Sequence, residues 1–131
     1  MMIRREFLHS LLATLGLAPH AAIGRAIAPP RTVLLQASPV AGFQYHEGEA
    51  VWAALREGLA LDLVREQDNL HDGKAVRVEW AGRKLGYVPR VENHAVAQLL
   101  DRGERLGARI ARLRESRDPW ERIRVEVSLV I

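Results

Sequence analysis

The 131-residue sequence has no cysteine, which excludes disulfides, thiolate-bound zinc and a cysteine nucleophile together. Stability has to come from packing and hydrogen bonding. Aromatic residues are scarce, two Phe, two Tyr and three Trp, so the place of each one matters. Serine occurs only at Ser10, Ser38, Ser116 and Ser128, never in the G-x-S-x-G setting of a nucleophile elbow. No glycine-rich loop ends in Gly-Lys-Ser/Thr, so ATP hydrolysis is not expected. His9 and His20 lie near the N-terminus, and His46, His71 and His94 stand more than twenty residues apart, without the i,i+4 pairing of a metal site. The expectation is a non-catalytic chain with no metal and no cofactor.

Long apolar runs are missing as well. The run from Phe7 to Ala18 is broken by His9 and Ser10 and is too short to cross ~30 Å of hydrocarbon, so no stable membrane span is expected. Residues 1–30 have instead the order of an export leader: charged, then apolar, then small residues up to Pro29-Pro30. Arg4-Arg5-Glu6-Phe7-Leu8 resembles the twin-arginine export motif, with Ala26-Ile27-Ala28 or Ala22-Ile23-Gly24 as the cleavage site. The expected location is the periplasm or beyond if the leader is used, and the cytoplasm otherwise.

What is present is one domain's worth of chain, with 48% apolar residues and a formal charge of +3. Arg4, Arg5 and Arg25 against Glu6 account for most of that charge, leaving 16 basic and 15 acidic residues from Arg31 onward. The basic character is local. Arg102, Arg105, Arg109, Arg112, Arg114, Arg117, Arg122 and Arg124 outnumber Glu104, Glu115, Asp118 and Glu121 in the same stretch, which gives either a positive face or a set of solvated strand residues.

Residues 31–131 read as α+β, mainly strands with two helices. Val33 to Gln36 is a short apolar run, and Phe43-Gln44-Tyr45 resumes a strand-like pattern after Pro39 and Gly42. Residues 48–58, with Val51, Trp52 and Leu55 on one face, predict a short helix. Leu61 and Leu63 predict a strand, 67–74 a polar loop, and Val76, Val78 and Trp80 a second strand that turns at Ala81-Gly82 into 83–88. Val91, Ala95, Val96, Leu99 and Leu100 recur at helical spacing before Gly103. Leu106, Ala108 and Ile110, then Ile123, Val125, Val127, Leu129 and Ile131, alternate with polar residues as strands do. Five or six short strands and two helices suggest a small, partly closed barrel of the OB type.

Three segments in order resemble the HIRAN domain family over residues 33–129. They are Val40-Ala41-Gly42-Phe43-Gln44-Tyr45, then the stretch from Leu63-Val64-Arg65-Glu66 through Asn69-Leu70-His71-Asp72 to Ala75-Val76-Arg77-Val78, then Gly82 to Leu85-Gly86-Tyr87-Val88-Pro89 with the helix up to Gly103. Members of that family occur beside helicase-like ATPases, where the domain grips the free 3′ end of single-stranded DNA, and also as short stand-alone bacterial proteins. The resemblance therefore implies a nucleic-acid-binding module whose contacts come from Gln44, Tyr45, His71, Asp72, Tyr87 and Arg90. Tyr45 falls where the family stacks a base, Asp72 where a carboxylate accepts from a terminal hydroxyl, and Tyr87 and Arg90 beside that pocket. His46 and His71 stand where aromatics are common, and Leu70 replaces a usual proline.

The residues themselves leave more open. Tyr45 and Tyr87 with Lys74, Arg77 and Arg90 suit a single strand, since every base has a face to stack and arginine tracks phosphate. A tyrosine beside a glycine also suits a half-buried core position. Asn69 and Asp72 suit turn formation through side chain to backbone bonds. Trp52 and Trp80 read as core and Trp120 as exposed. The alternative function is an exported module that uses the same pocket for a small ligand or an envelope partner.

Overall fold

The computed structural model describes residues 29–131. The leader expected at 1–30, with its arginine pair and both cleavage sites, lies outside the described residues but for Pro29 and Pro30. Among the described residues no helix is long and apolar enough to cross a membrane.

The strict alternation near the C-terminus sets the pattern for the rest. In β6 (Ile123–Val130) Ile123, Val125 and Val127 are buried while Arg124 between them is exposed, because successive side chains of a strand leave on opposite faces. β5 (Leu106–Leu113) pairs with it antiparallel and adds Ile110 to the same core. β1 (Thr32–Pro39) lies on the far side of β6, and β2 (Ala60–Glu66), β3 (Ala75–Trp80) and β4 (Arg83–Tyr87) follow from β5. The result is one six-stranded antiparallel sheet in the order β1-β6-β5-β2-β3-β4. The core it packs on includes Val40, Phe43, Leu61, Val76, Val78, Leu85, Val96 and Ile110.

The two edges of this sheet meet at one point. Just past β1, Ala41 donates to the Tyr87 carbonyl at 2.8 Å, and Tyr87 donates back to the Ala41 carbonyl at 2.9 Å. Among the described residues this single bridge is all that joins the outer strands, so the sheet curls without becoming a continuous barrel. The small, partly closed OB-like fold expected from the element count is the fold found. Gly86 makes the approach feasible: its φ is +154°, and a Cβ there would sit 2.4 Å from the Ala41 oxygen and 2.6 Å from a methyl of Val40.

Elements depart from the expectation in three places. Phe43–Tyr45 is a 3-10 turn and not a strand, because Gly42 takes a left-handed φ of 75° and swings the chain off the sheet edge. Phe43 is thereby driven into the core, edge-on to Trp52 with ring centroids 5.8 Å apart, and Tyr45 is left 77% exposed. The helix expected over 48–58 shrinks to α1 (Gly48–Val51), extended only by a 3-10 turn at Trp52–Ala54, since Leu55 is already in extended backbone.

In the third place, Val91 does not lie on the second helix. It sits on a 3-10 turn, Arg90–Glu92, and is 93% exposed. α2 (His94–Asp101) starts after Asn93 and buries Val96 and Ala97, leaving Ala95 in solvent. Pro89 is in extended backbone and its carbonyl accepts from the Glu92 N–H at 3.0 Å, the i to i+3 spacing of a 3-10 turn, so the α-helical bonding begins only after Asn93. Trp52 and Trp80 pack against the core, and Trp120 is 49% exposed.

Candidate functional site

A cleft of about 390 Å³ opens on the outer surface at the bridge between the sheet edges. Ala41 and Tyr87, the bridge partners, form its floor, with Ala75 and Val88 as small apolar walls. Its rim comes from His46, from Asn69, His71 and Asp72 of the loop between β2 and β3, and from Arg90.

The loop is held by its own polar side chains. The Asn69 carbonyl oxygen accepts from the backbone N–H of His71 at 2.9 Å and of Asp72 at 3.0 Å, so its turn-forming role is realised. Its amide nitrogen in turn donates to Glu66 at 2.9 Å. Asp72 accepts from the Lys74 N–H on one oxygen at 2.9 Å and from the side-chain amide of Asn93 on the other at 2.8 Å. Asn93 is 2% exposed, so this bond anchors the loop to the start of α2. A carboxylate oxygen has two lone pairs, and each oxygen of Asp72 keeps acceptor capacity after these bonds.

Glu66 lies outside the lining and holds two residues of it, Asn69 and Tyr87. It accepts from the Tyr87 hydroxyl at 2.8 Å and from Arg77 at 2.9 Å, while Lys84 donates to the Tyr87 hydroxyl at 2.6 Å and lies 4.5 Å from the ring centre. The phenol hydroxyl is therefore committed to the protein and only the ring is offered to a ligand. His46 meets that ring edge-on, with centroids 5.7 Å apart.

Burial followed by the Lys84 charge holds the His46 imidazole below its usual pKa, against a smaller upward pull from Glu66 and Glu47. For Glu66 burial pushes up, but hydrogen bonds from Asn69 and Tyr87 and the charges of Lys84 and Arg77 outweigh it and leave the carboxyl below its usual value. Both shifts have the same consequence. On acidification the unfolded chain takes up the proton first, at about 6.5 for histidine and about 4.3 for glutamate, so stability falls as pH drops through each range. Thermal midpoints measured from pH 7.5 to 5 should decline, and His46→Phe should flatten that part of the curve. An unchanged slope in that variant would assign the decline to other groups.

Of the six residues expected to act together, His71, Asp72, Tyr87 and Arg90 line this one cleft. Gln44 and Tyr45 do not: both are exposed on the 3-10 turn beside it. His46 and Asn69 line it and were not among the six. The polar turn chemistry of Asn69 was legible, and its place on the rim follows from the turn it makes. His46 was marked only by the resemblance, which sets it where aromatics are common, and its entry into the cleft depends on the reversal at Gly42. A second depression shares Asp72 and Arg90 with the cleft and continues to Lys74, Asn93 and His94. Among the described residues no three His, Asp or Glu side chains converge as metal ligands.

The arrangement can accept a hydrogen bond from a hydroxyl at Asp72, cover an apolar surface with the Tyr87 ring, and meet an anion at Arg90. A family model, the HIRAN domain, matches residues 33–131. A crystal structure of a protein from Lactobacillus plantarum is 30% identical with a TM-score of 0.67, over 78% of this chain and 98% of that one. The crystal structure of the HIRAN domain of human HLTF has a TM-score of 0.59 over 76% of this chain and 78% of that one, and at 16% identity it speaks to the fold. No curated protein matches the chain.

Proposed function

The chain belongs to the HIRAN domain family, known as a DNA-binding module, and on that premise we propose that its cleft takes the 3′ end of a single strand of DNA. The observation that carries this reading is the setting of Asp72. Its carboxylate is oriented by a buried amide and a backbone N–H, stands on the rim of a cleft about 390 Å³ in size, and shares that rim with Arg90. A terminal 3′ hydroxyl donates to Asp72, and the phosphate on the 5′ side of the last nucleotide pairs with Arg90. The last sugar and base lie against Tyr87 and the small residues Ala41, Ala75 and Val88, which let them come close to the backbone.

A hydrogen bond to a charged acceptor contributes about 1.5–3 kcal/mol, roughly ten- to a hundredfold in affinity. A 3′ phosphate offers no such donor and brings negative charge against the carboxylate. Anisotropy titration of one labelled oligonucleotide with a 3′ hydroxyl and the same one with a 3′ phosphate, at low salt, tests this. The capped strand should bind at least about tenfold more weakly. Equal binding by both would exclude end recognition at Asp72.

A further inference from the structure

The solvent face of β5 and β6 carries an unrelieved pair of like charges. Arg109 faces Glu126 across the strands and is bonded to it at 2.7 Å, but the next outward pair is Arg112 opposite Arg124. Leu113 and Ile123, one step further, pack inward, which puts both guanidinium groups on the outside, and both residues are exposed. Like charges directly opposite in an antiparallel pair destabilise a sheet. Among the described residues neither arginine forms a salt bridge; Arg124 donates only to the Ala37 carbonyl, at 3.1 Å. Other arginines of this region are used internally: Arg122 lies over the Trp52 ring at 4.1 Å and pairs with Glu49, and Arg114 reaches Glu121 at 3.6 Å.

This pair is close to the cleft. Arg124 is the partner of Pro39, and Ala41, two residues on, is the cleft floor. Two residues of extended chain span about 6.6 Å and neighbouring strands lie about 4.8 Å apart, so both arginines are within a short stretch of nucleic acid from the cleft. An exposed ring stands at the same end of the sheet. The turn Pro119–Glu121 packs against the turn Phe43–Tyr45 that leads out of the cleft floor. Asp118 fixes it by accepting from the Trp120 N–H at 3.0 Å.

We propose that Arg112, Arg124 and Trp120 form a second subsite that holds the single strand leading to the cleft, the arginines on phosphates and the indole under a base. This rests on the reading of the cleft as the seat of a strand end. The like-charge pair is then the feature an anionic backbone relieves, and the ring supplies the sequence-tolerant stacking that single-strand binders use.

Titrating the protein with a 3′-hydroxyl trinucleotide and with a 3′-hydroxyl decanucleotide separates the two sites. Arg112→Ala/Arg124→Ala should leave the trinucleotide unaffected, weaken the decanucleotide roughly tenfold, and lower its salt slope by about 1.4, the value for two phosphates on a single strand. Removing like charges should leave the thermal midpoint unchanged or raised, so lost binding is not lost folding. Trp120→Ala should weaken the decanucleotide alone and abolish the tryptophan fluorescence change that it, and not the trinucleotide, produces.

The subsite is overturned if the arginine variant binds the decanucleotide with wild-type affinity and salt slope, or loses both oligonucleotides equally. It is also overturned if Lys74→Ala, in the second depression that shares Asp72 and Arg90 with the cleft, produces the whole length-dependent loss. If the wild-type protein binds neither oligonucleotide, the cleft reading itself falls and the subsite with it.

Discussion

Gly86→Ala should destabilise the fold by about 3 kcal/mol or more and abolish binding in the cleft. A methyl at this position would stand 2.4 Å from the Ala41 oxygen and 2.6 Å from a Val40 methyl, and the backbone φ of +154° is one that side chains avoid. Overpacking a well-packed position costs typically 1–3 kcal/mol, and strained backbone about the same again. Relief requires Ala41 and Tyr87 to separate, which breaks the one bridge between the sheet edges and takes apart the cleft floor. Urea unfolding at neutral pH reads the loss directly. Gly107→Ala is the control: it lies in β5, and its added Cβ would meet nothing nearer than a Val130 methyl at 3.8 Å. A Gly86→Ala protein as stable as the Gly107→Ala one would show that the bridge is not a tight point.

The second large effect is expected at Asp72. Asp72→Ala should weaken binding of a 3′-hydroxyl strand about ten- to a hundredfold and make the protein indifferent to a 3′ phosphate. It should also cost about 1–3 kcal/mol of stability, because the Asn93 amide, 2% exposed, loses its acceptor. Those two losses come apart in a double substitution. Asp72→Ala with Asn93→Ala removes both partners of the bond, so stability should recover in part while binding does not. If the double variant regains affinity together with stability, Asp72 acts by holding the loop and not by touching the strand end.

Legibility in the sequence followed the regularity of the backbone. β5 and β6 could be traced because residues 106–110 and 123–131 alternate, and the β3–β4 hairpin because Ala81-Gly82 interrupts two alternating runs. The 3-10 turn at Phe43–Tyr45 could not, because Phe43 and Tyr45 have strand-like spacing and only the conformation of Gly42 breaks it. Val91 continued a helical stripe on paper, and the turn after Pro89 removed it.

The candidate site divides along the same line. His71, Asp72, Tyr87 and Arg90 come from segments whose local structure was anticipated, a polar loop, a strand end and the residue after a proline, and they line one cleft. Gln44 and Tyr45 are exposed on the 3-10 turn beside the cleft, while His46 enters the cleft because of that same turn. That Ala41 meets Tyr87 is a contact between opposite edges of the sheet, which no local pattern encodes.

A crystal structure of the protein with a trinucleotide ending in a 3′ hydroxyl tests the central claim most directly. The account predicts the terminal nucleotide in the cleft above the Ala41–Tyr87 bridge, its 3′ oxygen within hydrogen-bond distance of the Asp72 carboxylate and its phosphate beside Arg90. A nucleotide bound in the cleft by its 5′ end, or bound only elsewhere on the surface, would contradict it.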